Sequence, residues 1–227
     1  MTPSRQPHDR SSARIRIYGL YVIIDPQITN GRTPIDIATA ALRGGARVIQ
    51  IRDKDSDKGK TLKLAKGLAF LCDSYKIPLI INDHPDIAMI TMAGGVHLGQ
   101  GDLPIRDTRL LIYPDQIIGR SNYLLDEAIE SQAQGADYIA IGNIYRTKTK
   151  ESIINRTPLG PDAIRAIRPH IKVPIVAIGG INESNVGSII NAGADSVCVA
   201  AAVGLADDPE QATRTLINRI IDAGGRA

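Results

Sequence analysis

The chain is predicted to be an α/β protein, a single-domain (βα)8 TIM barrel, on three observations. One short phrase recurs four times: Gly44-Gly45-Ala46 before VIQIR, Ala93-Gly94-Gly95 before VHLGQ, Gln134-Gly135-Ala136 before DYIAIG, and Ala192-Gly193-Ala194 before DSVCVA. Each copy reads as a helix stopped by glycine, a tight turn and a short buried strand, with a different tail after every strand. Counting the other apolar runs, eight strand-length segments alternate with eight segments of helical spacing. The strand runs are near-continuously apolar, as parallel strands must be when helices cover one face and a packed interior the other. A scaffold that repeats its entry into a strand and varies its exit has one working face, at the carboxyl ends of the strands.

In chain order the first strand is Ile17 to Ile24, and Thr33-Pro34 then marks the start of a helix over Ile35 to Arg43. The strand in VIQIR leads to a helix over Gly59 to Tyr75. Pro78 opens the strand Leu79 to Ile81, at a position where a missing N–H is tolerated. A helix over Pro85 to Met92, the strand in VHLGQ and a helix over Ile105 to Ile112 follow. The second half continues with a strand at Gln116 to Gly119, a helix over Asp126 to Gln134, the strand in DYIAIG and a helix over Pro161 to Arg168. Val173 to Ile178 is the seventh strand, opened by Pro174, and a helix from Asn182 to Asn191 follows it. DSVCVA is the eighth, and Asp208-Pro209 starts the last helix, Pro209 to Ile221. A doubly wound open sheet also alternates strand and helix, but no GxGxxG follows the first strand. The long span Asn143 to Leu159 lacks periodicity, which inside a compact barrel points to a lid or binding loop.

Composition bounds the function. The 227 residues, 43% hydrophobic and 22% charged, suit one barrel domain over residues 15–227, and no apolar run approaches the roughly 20 residues of a membrane helix. Residues 1–14 are polar and proline-containing, with no apolar core, and read as a disordered leader. Asp9 and two prolines interrupt a weak transit-peptide character. Cys72 and Cys198 lie far apart in apolar surroundings and read as buried free thiols, which fits the cytoplasm. A net charge of +3, with the cations dispersed or held in particular loops, argues against nucleic acid and is accounted for by small anionic substrates. An oligomer is left open.

In a barrel the polar residues at the carboxyl ends of the strands converge on one basin. Here these are Gln50, Arg52 and Lys54 after the second strand, Asn82 and Asp83 after the third, and His97, Gln100 and Asp102 at the fourth. Ser121 follows the fifth, Thr147, Thr149 and Lys150 the sixth, and Gly179-Gly180 the seventh. Gln50, Arg52 and Lys54 alternate and so face one side of an extended segment, where arginine and lysine suit phosphoryl oxygens. Asp83 and Asp102 each read as a helix N-cap when taken singly. Beside three cations they read together as a Mg²⁺ site. Gly179-Gly180, followed by a helix starting at Asn182, reads as a second phosphate site built on backbone N–H groups. His97 reads as a satisfied core histidine. Ser121, with no histidine base near it in sequence, reads as a hydrogen-bonding residue and not as a nucleophile.

Five motifs, in order, resemble the thiamine phosphate synthase family. They are Gln50-x-Arg52-x-Lys54, Ile81-Asn82-Asp83-His84-x-Asp86, Gly95-Val96-His97-Leu98-Gly99-Gln100-x-Asp102-Leu103-Pro104, Thr147-x-Thr149-Lys150 and Ala177-Ile178-Gly179-Gly180-Ile181. The resemblance runs from about Tyr18 to Ile220 and implies a Mg²⁺-dependent barrel transferase of thiamine biosynthesis. Such an enzyme joins 4-amino-2-methyl-5-(diphosphooxymethyl)pyrimidine to 4-methyl-5-(2-phosphooxyethyl)thiazole and releases pyrophosphate. By the same resemblance Asp83 and Asp102 stand at the Mg²⁺ positions. Gln50, Arg52, Lys54, Asn82, Ser121 and Lys150 stand at the pyrimidine diphosphate positions, with Arg52, Lys54 and Lys150 as the catalytic cations. Thr147, Thr149, Gly180, Ala200 and Ala201 stand at the thiazole phosphate positions.

The chain departs from the family pattern twice. Ala201 replaces the usual serine, removing a hydroxyl donor worth about 0.5–1.5 kcal/mol but leaving backbone N–H donors. Tyr123 stands where many members have the histidine that is the acid/base of a related thiazole tautomerase, which argues against that activity. A non-catalytic phosphate sensor on the same barrel would not need both carboxylates and Lys150.

Overall fold

The computed structural model describes residues 17–147, 149 and 156–227, so the expected leader and Lys150 lie outside the described residues. Eight parallel strands close into a barrel in simple sequence order. They are β1 (Gly19–Ile24), β2 (Val48–Ile51), β3 (Leu79–Asn82), β4 (Gly95–Leu98), β5 (Ile117–Asn122), β6 (Tyr138–Ile141), β7 (Ile175–Ile178) and β8 (Ser196–Val199). The closing ladder runs between β1 and β8, with Tyr21 opposite Cys198. Around the strands lie α1 (Pro34–Gly44), α2 (Lys58–Tyr75), α3 (Pro85–Thr91), α4 (Ile105–Leu111), α5 (Leu125–Ala133), α6 (Gly160–Ile167), α7 (Val186–Asn191), α8 (Ala201–Gly204) and α9 (Pro209–Asp222). No helix among the described residues is long and apolar enough to cross a membrane.

The sequence signals act locally as expected at most helix ends. Thr33 caps α1 through a reciprocal box with Asp36, and the Asp208 carboxylate accepts from Gln211 N at the start of α9. Three of the repeated glycines, Gly45, Gly135 and Gly193, take the left-handed conformation that ends the preceding helix or turn. The second copy works differently. There Met92 carries the left-handed conformation, and Gly95 is needed because a Cβ would lie 2.1 Å from the Ile117 carbonyl oxygen on the neighbouring strand.

Three expectations are corrected. Helix α7 begins at Val186, not Asn182, because Asn182 and Asn185 build a turn of their own: Asn182 N donates to Asn185 Oδ1 and Ser184 N to Asn182 Oδ1, each at 2.9 Å. A short α8 intervenes between β8 and α9, where a plain connection is expected from the sequence. β5 extends to Asn122, so Ser121 is a strand residue, not a loop residue.

Period-two alternation divides the apolar residues into two cores. The outward faces of the strands pack with the helices in one continuous cluster that includes Leu20, Val22, Ile49, Ile81, Val96, Ile139 and Val197. The inward faces form a second cluster with Tyr21, Val48, Ile80, Ile117, Tyr138, Val176 and Cys198. Both cysteines are buried and unbridged. Burial pushes the Cys72 thiol up to about 12 and raises Cys198 further, so neither is a reactive thiolate near neutral pH.

One glycine holds the inner core open. Gly119 on β5 is paired with Tyr138 on β6, and its missing side chain is the space the phenol ring fills. A Cβ on Gly119 would lie 1.9 Å from Tyr138 Cζ. Gly119→Ala is therefore expected to destabilise the fold by about 1–3 kcal/mol through overpacking, read as a lower urea midpoint at unchanged slope.

Candidate active site

The carboxyl ends of the strands enclose a cavity of about 610 Å³. Every candidate site residue among the described residues lines it: Gln50, Arg52, Lys54, Asn82, Asp83, Asp102, Ser121, Thr147, Thr149, Gly180, Ala200 and Ala201. Barrel geometry produces this convergence, because residues up to 151 positions apart in sequence come together at one end of the closed ring of strands.

The cations reach the cavity already paired. Arg52 N donates to the Ile24 carbonyl at 2.9 Å, which fixes the backbone after β2 against the end of β1. Its guanidinium then meets the carboxylate of Asp25 at 2.5 Å. Asp25 is 5% exposed, so Arg52 supplies the counter-charge without which that carboxylate would be costly to bury. The sequence reading passes over Asp25, although its place directly after β1 is the same signal that identifies Asp83. Lys54 Nζ donates to Asp83 Oδ2.

Neither aspartate acts as a helix cap. The cap of α3 is His84 and that of α4 is Pro104, and neither has a side-chain cap bond. Asp83 instead takes a left-handed conformation (φ 62°), held by Asp83 N donating to the His97 carbonyl at 2.8 Å. Asp102 Oδ2 accepts from Gly99 N at 2.6 Å. The loop carrying it is tied to β5 by Arg120, which donates to the carbonyls of Leu103 and Gln100. Gln100 is used in the same bracing, through Nε2 to the Ser121 carbonyl at 2.6 Å.

Burial raises the Asp102 carboxyl above its ordinary range, and the adjacent Asp83 carboxylate adds to the rise. Two hard carboxylates brought this close form a donor pair suited to Mg²⁺, which takes few protein oxygens and completes its shell with water and phosphate. Among the described residues no group of three or more acidic, histidine or cysteine side chains could hold a metal.

The opposite side of the cavity is built for close backbone approach. The chain after β6 lies over the end of β7, with Ile144 N donating to the Ile178 carbonyl and Tyr145 N to that of Gly179, both at 2.9 Å. Gly180 (φ 66°) is required there, since a Cβ would lie 2.3 Å from the Arg146 carbonyl oxygen. Thr147 and Thr149 join their hydroxyls at 2.9 Å, and Ala200 stands directly before α8, its carbonyl accepting from Val203 N at 3.1 Å and Gly204 N at 2.8 Å. Further along the loop, the Arg156 guanidinium stacks over Tyr123 at 5.2 Å, and the Tyr123 hydroxyl donates to the Thr157 carbonyl at 2.8 Å. Tyr123 thus braces the loop end.

His97 and Ser121 differ from the sequence reading in one respect. His97 is a buried, hydrogen-bonded histidine as expected, but its Nε2 lies 2.8 Å from Ser121 Oγ, so the serine does have a histidine beside it. Their residues are 24 apart in sequence and become neighbours only because β4 and β5 pair, with His97 opposite Gly119.

Fold and site together define a barrel enzyme that gathers cations, carboxylates and backbone donors around one cavity. The family model described as thiamine monophosphate synthase matches residues 20–203, and the chain belongs to that family, a family of transferases. It is 40% identical to the thiamine-phosphate synthase of Shouchella clausii over 91% of this chain and 98% of that one. To the thiamine-phosphate synthase of Natronomonas pharaonis it is 38% identical over 89% and 95%. The solved thiamine phosphate pyrophosphorylase of Pyrococcus furiosus superposes with a TM-score of 0.83 at 33% identity, over 91% and 96% of the two chains.

The raised Asp102 carboxyl has a consequence for stability. A carboxyl that holds its proton more tightly in the folded than in the unfolded chain loses stability as pH rises from its unfolded value through its raised folded value. In metal-free buffer Asp102→Asn is expected to melt above the wild type at pH 7. The difference should shrink as pH falls through the raised value, as followed by thermal denaturation at a series of pH values.

Proposed function

We propose that the protein is a thiamine-phosphate synthase, joining the aminopyrimidine diphosphate to the thiazole phosphate with release of pyrophosphate, in the cytoplasm. The observation that carries this reading is the single cavity in which Arg52 and Lys54 face Asp25, Asp83 and Asp102, opposite the Thr147–Thr149 pair and Gly180. Two phosphorylated ligands need two anion sites on one rim, and the two sides of the cavity differ in the way this requires. The family and the relatives named above support the same chemistry, and the two buried unbridged thiols suit a reducing compartment.

Arg52, Lys54 and Lys150 bind the diphosphate, and their charges matter most when the C–O bond stretches and negative charge collects on the departing pyrophosphate. Asp83 and Asp102 would hold Mg²⁺, which supplies charge neutralisation to the same leaving group. The pairing of Lys54 with Asp83 fits this arrangement, because with Asp83 engaged as a metal ligand the Lys54 ammonium would be free to meet the diphosphate. Asn82, Gln50 and Ser121 bind and orient the pyrimidine ring, whose amino group supports the developing methylene cation. Thr147, Thr149, Gly180 and the backbone at Ala200 and Ala201 hold the thiazole phosphate and bring its ring nitrogen to the reacting carbon. Departure followed by capture needs no covalent enzyme nucleophile, so Ser121 serves here as a hydrogen-bonding group.

Incubating the purified protein with both heterocyclic phosphates and Mg²⁺ is expected to yield thiamine phosphate by mass spectrometry, and EDTA should abolish the product. Absence of product with Mg²⁺ present would remove the reading. Lys150→Ala is expected to lower kcat about 10²-fold or more with the circular-dichroism melt unchanged, since one preorganised charge donor contributes about that much.

A further inference from the structure

Six side chains from six strands form an unbroken hydrogen-bonded chain across the barrel interior. Gln50 Nε2 donates to Asn82 Oδ1 at 2.8 Å, and the Tyr21 hydroxyl donates to Gln50 Oε1 at 2.7 Å. The Tyr21 and Tyr138 oxygens are 3.1 Å apart, Tyr138 Oη lies 2.9 Å from His97 Nδ1, and His97 Nε2 lies 2.8 Å from Ser121 Oγ. Tyr21 and Tyr138 are fully enclosed, and burial raises both phenols, so each keeps its proton. Asn82 and Ser121, the two ends, both line the cavity.

Each hydroxyl has one proton to give, and that constraint sets a direction. Tyr21 gives its proton to Gln50, so the proton between the tyrosines belongs to Tyr138. Tyr138 then has only lone pairs for His97, and Nδ1 must carry the ring proton. With Nδ1 protonated, Nε2 of a neutral imidazole accepts, and Ser121 donates to it. The Ser121 proton is thereby committed inside the barrel, and lone pairs on its oxygen are left for a ligand.

We infer that Tyr21, Tyr138 and His97 are positioning residues that set the polarity of the ring-binding site, holding His97 as its Nδ1–H tautomer so that Ser121 meets the ligand as a hydrogen-bond acceptor. At the other end Asn82 Oδ1 is occupied by Gln50, so Asn82 offers its Nδ2 donor. A ring with an N–H donor on one edge and a ring nitrogen acceptor on the other matches this pair of ends, and the same ring with a carbonyl in place of the amino group does not. This deepens the synthase reading and rests on it for the identity of the ring. The direction of the chain does not depend on any substrate.

The first test needs no substrate. Histidine-¹⁵N NMR of the ligand-free protein, with the His97 signals assigned by their loss in His97→Gln, is expected to show a protonated Nδ1 and an unprotonated Nε2. Tyr21→Phe removes the acceptor of the Tyr138 proton, which then turns toward His97, and the tautomer should switch to Nε2–H. Finding the wild-type ring as Nε2–H, or protonated on both nitrogens, would overturn the inference.

The second test is kinetic. Tyr21→Phe should raise the KM for the pyrimidine diphosphate about tenfold, the effect of losing one well-made hydrogen bond, with a much smaller change in the KM for the thiazole phosphate. Inhibition by the 4-oxo analogue of the pyrimidine should strengthen relative to the 4-amino form by a similar factor. An equal change in both KM values, or unchanged discrimination, would reduce the chain to a structural role. Should Tyr21→Phe fail to fold, Tyr138→Phe puts the same questions. A wild type that makes no thiamine phosphate yet shows the Nδ1–H tautomer would defeat the synthase reading and leave the polarity chain standing.

Discussion

Closure of the barrel is the constraint on which the rest depends. Eight strands paired in a ring leave no edge, so an inward-facing side chain can find partners only across the lumen or up at the rim. Apolar residues fill most of the interior, and the polar ones that remain had to be satisfied by one another. The chain from Asn82 through Gln50, Tyr21, Tyr138 and His97 to Ser121 is that solution, and it uses six strands. Gly119 belongs to the same solution, since its bare Cα is what admits the Tyr138 ring.

At the rim the same economy applies to charge. Arg52 and Asp25 neutralise each other where neither is well solvated, and Lys54 and Asp83 do so nearer the solvent. The rim therefore carries these charges as pairs. A buried pair of this kind adds little to stability compared with apolar packing, so its value lies in holding the guanidinium and ammonium in place. The Asp102 carboxyl is held at a cost: its burial, and after that the neighbouring Asp83, raise it above the ordinary carboxylate range.

Much of this was legible beforehand. The four glycine-led phrases and the alternation of periods identify the barrel, and the barrel then converts a list of strand-end residues into a single cavity. Helix starts marked by a capping side chain and proline, as at Thr33-Pro34 and Asp208-Pro209, form where those local signals place them. Asn182 misled because an asparagine that can cap a helix can equally close a turn on Asn185. The short α8 left no period long enough to detect. Asp25 also occupies a strand end, but its partner Arg52 lies 27 positions away and no local signal joins the two.

By itself the amino-acid sequence determined the alternation of eight strands with their main helices, the parallel closed sheet and the set of polar residues at its carboxyl end, because periodicity, caps and glycine stops act over a few residues. Only the tertiary structure decided which of those residues touch. The near-continuous apolar strands carry no alternating mark to say which face is inward, and the stagger between strands sets who stands opposite whom. The placing of Tyr138 between Tyr21 and His97, of His97 against Ser121, and of Arg52 on Asp25 follows from that stagger, a property of the closed ring and of no single segment.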